Sequence, residues 1–327
     1  MRNGGPEPLR QDDPTEIAGY VLEARIGEGG MGAVYLTRTA DGHPVALKLI
    51  RREHAQSENF RRRFAREVEA ARRVGGRHLA QVVDHDAEAA RPWLATRYVP
   101  GLPLDDALEE YGPLPLGCVL QLTACAAHAL DAVHAAGVIH RDVKPANLLL
   151  TAEGPCLLDF GIARAEGTES LTTVGRMVGT PKYMSPEHAL GKQLTPASDV
   201  FTLGLVAAEA ATGRHPYGEG GGLVVATRIA GTDREPPDLS AHPPALREVL
   251  DACLSARPQD RPTAAQAAAM CGRAAGRDVH DFRGWLPKPL TAAVARVERS
   301  ARDPRSSGWL GRAFRGRTGW SSSPSDP

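Results

Sequence analysis

Aromatic residues are scarce: Phe, Trp and Tyr make up only 5% of the 327 residues. The apolar share of 42% must therefore pack Ala, Leu and Val side chains with few large anchors. Neither sign of charge is in surplus, with Lys+Arg at 39 and Asp+Glu at 39. That balance argues against a nucleic-acid binder, which grips phosphates through a basic excess. The five cysteines (Cys118, Cys125, Cys156, Cys253 and Cys271) include no Cys-x-x-Cys pair, so neither a disulfide framework nor a zinc ribbon is expected. They read as buried, reduced thiols of a cytosolic protein. Met1-Arg2-Asn3-Gly4-Gly5-Pro6 has no apolar stretch of the secretory kind. No uninterrupted apolar run reaches the roughly 18–20 residues of a membrane span. The segment from Leu120 to Ile139 comes nearest, and it carries Gln121, His128, Asp131 and His134. The expectation is a soluble, cytoplasmic chain without a transmembrane span.

What is present has a clear order. Residues 1–17 are rich in Gly, Pro and charge and read as a flexible leader. Short strand-like runs follow at Tyr20-Val21-Leu22, Ala33-Val34-Tyr35-Leu36 and Val45-Ala46-Leu47-Lys48-Leu49-Ile50. The last two flank Asp41-Gly42, a hairpin signal. Phe60, Phe64, Val68 and Ala71 recur at helical spacing among arginines. Strand-like pieces recur at Gln81-Val82-Val83 and Trp93-Leu94-Ala95-Thr96. After Pro100-Gly101 the pattern turns helical, with helices expected at 116–136, 198–211, 246–254 and 263–272. Strands followed by helices predict an α+β chain with two unequal lobes. Residues 273–327 read as a basic, Ser/Pro-containing, largely disordered tail with one short amphipathic piece from Leu290 to Ala301. Over 288–327 eight Lys/Arg face three Asp/Glu, and the tail is expected to be dispensable for catalysis.

Three motifs carry chemistry. Ile26-Gly27-Glu28-Gly29-Gly30-Met31-Gly32-Ala33-Val34 holds G-x-G-x-x-G-x-V. A dinucleotide-binding turn would lead into a helix, whereas here a strand follows. A glycine hairpin between strands lets backbone approach phosphate. Lys48 is the one charge in an otherwise apolar strand. His140-Arg141-Asp142-Val143-Lys144-Pro145-Ala146-Asn147 fits H-R-D-x-K-x-x-N, and Asp159-Phe160-Gly161 follows. This polar cluster sits between the apolar runs Gly137-Val138-Ile139 and Leu148-Leu149-Leu150, a framing more typical of a site than of a surface loop.

With these motifs in this order the chain resembles the eukaryotic-like (Hanks-type) Ser/Thr protein kinases of bacteria, over about Tyr20 to Gly272. Gly179-Thr180-Pro181-Lys182-Tyr183-Met184-Ser185-Pro186-Glu187, Ser198-Asp199-Val200-Phe201 and Asp260-Arg261-Pro262 match later family signatures. The resemblance implies a bilobal protein-kinase fold over 18–272, with a small β-rich N-lobe (18–99) holding one key helix and a larger helical C-lobe (100–272). It implies transfer of the γ-phosphoryl group of ATP to Ser/Thr hydroxyls of proteins, with Mg²⁺ as the metal and Mn²⁺ as a substitute. Lys48 would hold the α- and β-phosphates, oriented by Glu67 on the apolar face of its helix. Asp142 would accept the hydroxyl proton and Lys144 would steady the γ-phosphate. Asn147 and Asp159 are oxygen ligands suited to Mg²⁺. The glycine segment from Ile26 to Val34, with Ala46, Arg97, Val99 and Leu149, would border the nucleotide, Arg97 through its backbone. Family precedent pairs Glu187 with Arg261 and sets Asp199 against the catalytic-loop backbone.

Pro103 stands where some members carry a ribose-binding acid, a role left to Asp105 or Asp106. Thr172 and Thr173 match the family's activation-loop phosphosites, and a phosphate there would order the loop against Arg141. A kinase-domain homodimer is a further partner the resemblance allows. Two other classes share part of this pattern. A catalytically dead scaffold typically loses the lysine or one of the two aspartates, and this chain keeps all three. A small-molecule phosphotransferase lacks the segment at 179–187.

Overall fold

The Asp41-Gly42 turn closes the hairpin its sequence predicts in the computed structural model, which describes residues 6–159 and 181–302. Strand β1 (Glu16–Ile17) pairs with β2 (Tyr20–Val21) as a short ribbon. Strands β3 (Ala24–Gly29), β4 (Gly32–Arg38) and β5 (Pro44–Ile50) then run as antiparallel neighbours. Helices α1 (Arg52–Ala55) and α2 (Glu58–Ala71) precede β6 (Val82–Asp86) and β7 (Trp93–Arg97). These complete a five-stranded sheet in the order β3-β4-β5-β7-β6. Alternation along β5 buries Leu47 and Leu49 with Leu22, Tyr35 and Trp93, which turns Ala46 and Lys48 to the other face. Gly32 is required where β4 crosses β5, because a Cβ there would lie 2.1 Å from the Leu49 carbonyl oxygen. Ser57 caps α2 by accepting the Phe60 N–H, and Phe60, Phe64, Val68 and Ala71 are buried. Glu67 is buried beside them.

The second lobe begins with β8 (Leu102–Pro103), α3 (Leu104–Tyr111) and α4 (Leu116–Ala135). Strands β9 (Leu148–Thr151) and β10 (Gly154–Leu157) join β8 in the order β10-β9-β8. Helices α5 (Pro186–Ala189), α6 (Pro196–Thr212), α7 (Gly222–Ala230), α8 (Pro244–Cys253), α9 (Ala264–Ala275) and α10 (Lys288–Arg302) follow. A capping box starts α9 at Thr263/Gln266, Ser198 Oγ accepts the Thr195 N–H at 3.1 Å at the start of α6, and left-handed glycines, Gly213 and Gly276, end the two helices. Helix α4 is apolar and long enough to cross a bilayer, yet it is mostly buried against α6 and α9 as the centre of this lobe. All five cysteines are free and buried, and burial pushes the thiols of Cys125, Cys156, Cys253 and Cys271 up to about 12.

The expected leader and tail are both shorter than the sequence suggests. Residues before 18 hold to the sheet: Glu7 pairs with the Arg25 backbone, and Asp13, its side chain 4% exposed, accepts from Tyr35 Oη at 2.7 Å and faces Arg25. A salt bridge and a phenol hydrogen bond outweigh the local Gly/Pro composition there. At the other end the tail expected from 273 packs through residue 302. Val279, Trp285, Leu286, Leu290, Ala293 and Val294 are buried. Trp285 Nε1 donates to the Thr151 carbonyl at 3.1 Å, and Gln121 Nε2 to that of Asp281 at 2.9 Å. The Phe282 ring lies on the bare face of Gly154, 2.5 Å from where a Cβ would sit. The amphipathic piece seen in the sequence is thus a core element, and a chain cut at Lys288 would lose three buried side chains. A chain ending at Ala275 should melt far lower than the full chain, each buried large apolar side chain being worth about 1.5–3 kcal/mol. Thermal unfolding followed by circular dichroism checks this, and an unchanged Tm would refute the packing.

Candidate active site

The glycine-rich segment forms the β3–β4 hairpin, with Gly30-Met31 at its tip and Gly29 paired with Gly32. Its carbonyls are held from below: Arg51 N donates to the Met31 oxygen at 2.9 Å and Arg51 Nε to the Gly29 oxygen at 3.2 Å. Three arginines hold the Glu28 carboxylate, Arg10 at 3.0 Å, Arg25 at 3.3 Å and Arg51 at 3.1 Å. Across the sheet Ala46 is in register with buried Thr96. Leu149 packs with Ala80 and Cys156 against Val99 and Leu158. Arg97 points its side chain to solvent and spends its N–H on the Gln81 carbonyl at 2.8 Å. Apolar side chains of this kind suit a flat base, and a glycine hairpin lets backbone approach its phosphates.

The catalytic-loop residues converge as the motif implies. Asp199, fully buried, takes the backbone N–H groups of His140 and Arg141 on its two oxygens, each at 2.8 Å, and His134 Nε2 at 2.8 Å. His140 is buried, its imidazole held below the usual range by desolvation, and Nε2 reaches the Leu158 carbonyl at 3.0 Å. This scaffold fixes Arg141 at φ +63° and Asp159 at φ +46°, left-handed conformations that non-glycine residues seldom adopt. Asp142 Oδ2 accepts from Lys144 Nζ and from Asn147 Nδ2, both at 2.9 Å. Asn147 Nδ2 also donates to the Asp142 carbonyl at 2.8 Å.

One ion pair departs from expectation. Lys48 Nζ lies 3.0 Å from Asp159 Oδ2 rather than on Glu67. Glu67 instead meets Arg141 Nη1 at 2.7 Å, with both side chains about nine-tenths buried. A carboxylate so deeply buried must find a cation, and the left-handed turn at Arg141 brings a guanidinium to it. Burial raises the Glu67 carboxyl above its usual range despite Arg141, and Glu67 Oε2 has no hydrogen-bond partner among the described residues. This exchange leaves no mark in residue spacing, because the α2 face predicts only that Glu67 points inward.

Farther from the nucleotide region, Arg261 forms a two-pronged pair with Glu187, Nη1–Oε1 2.7 Å and Nη2–Oε2 2.9 Å. Thr172 and Thr173, with Phe160, Gly161, Gly179 and Thr180, lie outside the described residues.

A glycine hairpin, a lysine on an aspartate and an Asp-Lys-Asn cluster, set across two unequal lobes, are the parts that the protein-kinase resemblance calls for. The chain belongs to the protein kinase domain family, whose model matches residues 20–270. It is 48% identical over 289 residues to "Probable serine/threonine-protein kinase PkwA" of Thermomonospora curvata, covering 88% of this chain and 38% of that protein. It is 42% identical over 309 residues to the serine/threonine-protein kinase AfsK of Streptomyces griseus, covering 91% of this chain and 38% of that one. The kinase domain of Mycobacterium tuberculosis PknI superposes with a TM-score of 0.63 at 31% identity, over 79% of this chain and 97% of that domain. The chain spans under two-fifths of the length of these first two relatives. It is a bacterial Hanks-type Ser/Thr kinase domain by family, and that family implies ATP, a divalent metal and protein substrates.

Proposed function

We propose that this chain transfers the γ-phosphoryl group of ATP to Ser and Thr hydroxyls of proteins. The observation that carries the reading is that Lys48 pairs with Asp159 while Lys144 and Asn147 both hold Asp142, the two groups being tied where Leu158 N donates to the Asn147 carbonyl at 2.8 Å. Asp142 accepts the proton of the attacking hydroxyl, its carboxylate oriented by Lys144 and Asn147. Lys48 exchanges Asp159 for the α- and β-phosphates. With Nδ2 of Asn147 committed to Asp142, its Oδ1 is left to face a cation together with the Asp159 carboxylate, a hard-oxygen set that fits Mg²⁺. Mg²⁺, or Mn²⁺ in its place, supplies charge neutralisation at the phosphates. Free thiols and an ATP-using reaction suit a reducing, ATP-holding compartment, so the domain is assigned to the cytoplasmic side. Incubation of the full chain with labelled ATP, Mg²⁺ and a generic protein substrate tests the reading. Label in phosphoserine or phosphothreonine supports it, and label only in a small-molecule acceptor, or none, defeats it.

Activation follows from the exchanged ion pairs. A phosphate on Thr172 or Thr173 competes with Glu67 for Arg141, since a phosphothreonine brings nearly two negative charges. Glu67, once released, is free to take Lys48. A Thr172→Ala/Thr173→Ala variant should therefore lose most activity, roughly ten-fold or more, an effect of the size that a 1–3 kcal/mol coupling produces. Activity assays beside mass spectrometry of the wild-type peptide check it; full activity in the double variant would exclude the switch. Second-order dependence of autophosphorylation on enzyme concentration would mark transfer between two kinase domains.

A further inference from the structure

Ligand-type atoms from three distant parts of the chain meet away from the nucleotide region. His78 precedes β6, Cys125 sits within α4, and His280 lies in the segment that joins α9 to α10. One ligand atom from each, two imidazole nitrogens and a thiol sulphur, lie within 4.8 Å of one another. His280 stands beyond residue 270, where the family match ends, so the cluster is a feature of this chain and its packed extension.

Hydrogen bonding leaves both histidines of the cluster with an unpaired buried nitrogen. His78 Nδ1 lies 2.8 Å from the Pro155 carbonyl. A carbonyl can only accept, so the ring proton sits on Nδ1 and Nε2 keeps a bare lone pair. A backbone carbonyl holding the far nitrogen is the outer-shell arrangement that aims a histidine at a metal. Nε2 of His78 and Nδ1 of His280 are both buried with no hydrogen-bond partner among the described residues. The Cys125 thiol is paired, donating to the Val279 carbonyl at 3.6 Å, an ordinary length for sulphur, so the unpaired atoms are the two imidazole nitrogens. Buried polar atoms left unpaired in this way call for an ion or a water. A third imidazole, His128, stands with its ring centroid 5.3 Å from that of His280.

We propose that His78, Cys125 and His280 bind one divalent transition-metal ion of the zinc class, with His128 or water completing a tetrahedron. The donor set decides the class. Two imidazoles and a thiolate suit borderline-soft Zn²⁺, whereas Mg²⁺ and Ca²⁺ want oxygen. Metal–ligand bonds of about 2.1 Å to nitrogen and about 2.3 Å to sulphur put tetrahedral ligands roughly 3.6 Å apart. The cluster therefore has to close by about 1 Å on binding. Coordination replaces the Cys125 S–H bond by an S–metal bond and releases one proton to solvent, with no change of oxidation state. The ion ties three segments: the stretch leading into β6, where Leu157 N donates to the His78 carbonyl at 2.8 Å, helix α4, and the carboxy-terminal extension.

The test uses the full chain, stripped with a chelator and titrated with Co²⁺ in excess Mg²⁺, which keeps oxygen-ligand sites filled. One equivalent of Co²⁺ should give a near-ultraviolet thiolate-to-cobalt charge-transfer band with tetrahedral visible bands, and Zn²⁺ should bleach both. Cys125→Ser should abolish the charge-transfer band. His280→Gln, on a connecting segment where folding is least at risk, should weaken binding by about a hundredfold or more, beyond the ~10- to 100-fold cost of losing an outer partner. Zn²⁺ should raise the Tm of the wild type and not that of His280→Gln. A wild-type protein without the band at stoichiometric Co²⁺, a band that survives Cys125→Ser, or unchanged affinity in His280→Gln would each overturn the site and leave a water as its occupant.

Discussion

Replacing Asp142 by Asn should lower turnover by about 100- to 10,000-fold while leaving the melting temperature within a degree or two of wild type. The two halves of that expectation have separate physical causes. Asp142 Oδ2 accepts from Lys144 and from Asn147, both at 2.9 Å. An Asn side chain has the same shape, and its single carbonyl oxygen can keep both bonds, so little folding energy is lost. Its other terminal atom becomes an NH₂ group, which donates where the carboxylate accepted. The attacking hydroxyl then faces a donor and has nowhere to send its proton, and general-base assistance of this kind is worth about 10²–10⁴ in rate. Lys48→Met should do comparable damage for another reason: it keeps the aliphatic stem within β5 and removes the charge meant for phosphate. Steady-state transfer from labelled ATP, with thermal melts as the folding control, measures both. Near wild-type turnover in Asp142→Asn with an intact fold would mean that another group takes the proton.

The sequence carried different parts of this molecule with unequal clarity. Regular periodicity made α2 and α4 readable to within a few residues, because a buried stripe and an all-apolar run leave strong patterns. The hairpin at Asp41-Gly42 and the Glu187–Arg261 pair were legible from turn chemistry and from the family motifs. Local composition misled at both ends. Residues 6–17 look like a leader until Asp13 meets Tyr35 and Arg25, partners 22 and 12 positions away in the chain. Trp285 and Leu290 look like stray apolar residues in a basic tail until Thr151 and α3 supply a surface for them. The exchange of partners between Glu67 and Lys48 was hidden for the same reason. Motifs name which charges a site contains, but pairing depends on backbone turns, here the left-handed Arg141 and Asp159, that no spacing records. The His78–Cys125–His280 cluster is the extreme case, since its members are scattered over 202 residues and share no motif.

Arg261→Met should cost about 3–5 kcal/mol, a fall in Tm of roughly 10 °C or more, the largest stability loss expected from any single charged side chain here. The Arg261 side chain has no exposed surface, and that of Glu187 is only 6% exposed. All five guanidinium N–H groups are spent: two on Glu187, and the others on the carbonyls of Ser255 at 2.8 Å, Ala197 at 3.0 Å and Ala256 at 3.0 Å. The guanidinium carbon also sits 4.7 Å from the Phe201 ring centre. Methionine fills the volume but strands three carbonyls and takes both guanidinium bonds from a buried carboxylate, which keeps the Ser198 hydroxyl at 2.6 Å. Lysine should rescue poorly, because a single ammonium cannot match the fork. Burial works to raise the Glu187 carboxyl, but the hydrogen bonds from Arg261 and Ser198 outweigh it and hold the group below its usual range. A depressed folded value means the pair stabilises fully above the unfolded pKa and loses its contribution only as pH falls through the folded one. The wild type should thus keep this contribution at neutral and mildly acidic pH. Removing both charges in Glu187→Met/Arg261→Met should cost less than the sum of the single changes, since neither partner is left alone. Urea unfolding of the four proteins gives the cycle. Additive losses, or an Arg261→Met variant as stable as wild type, would show that the pair does not hold α5 to the C-lobe.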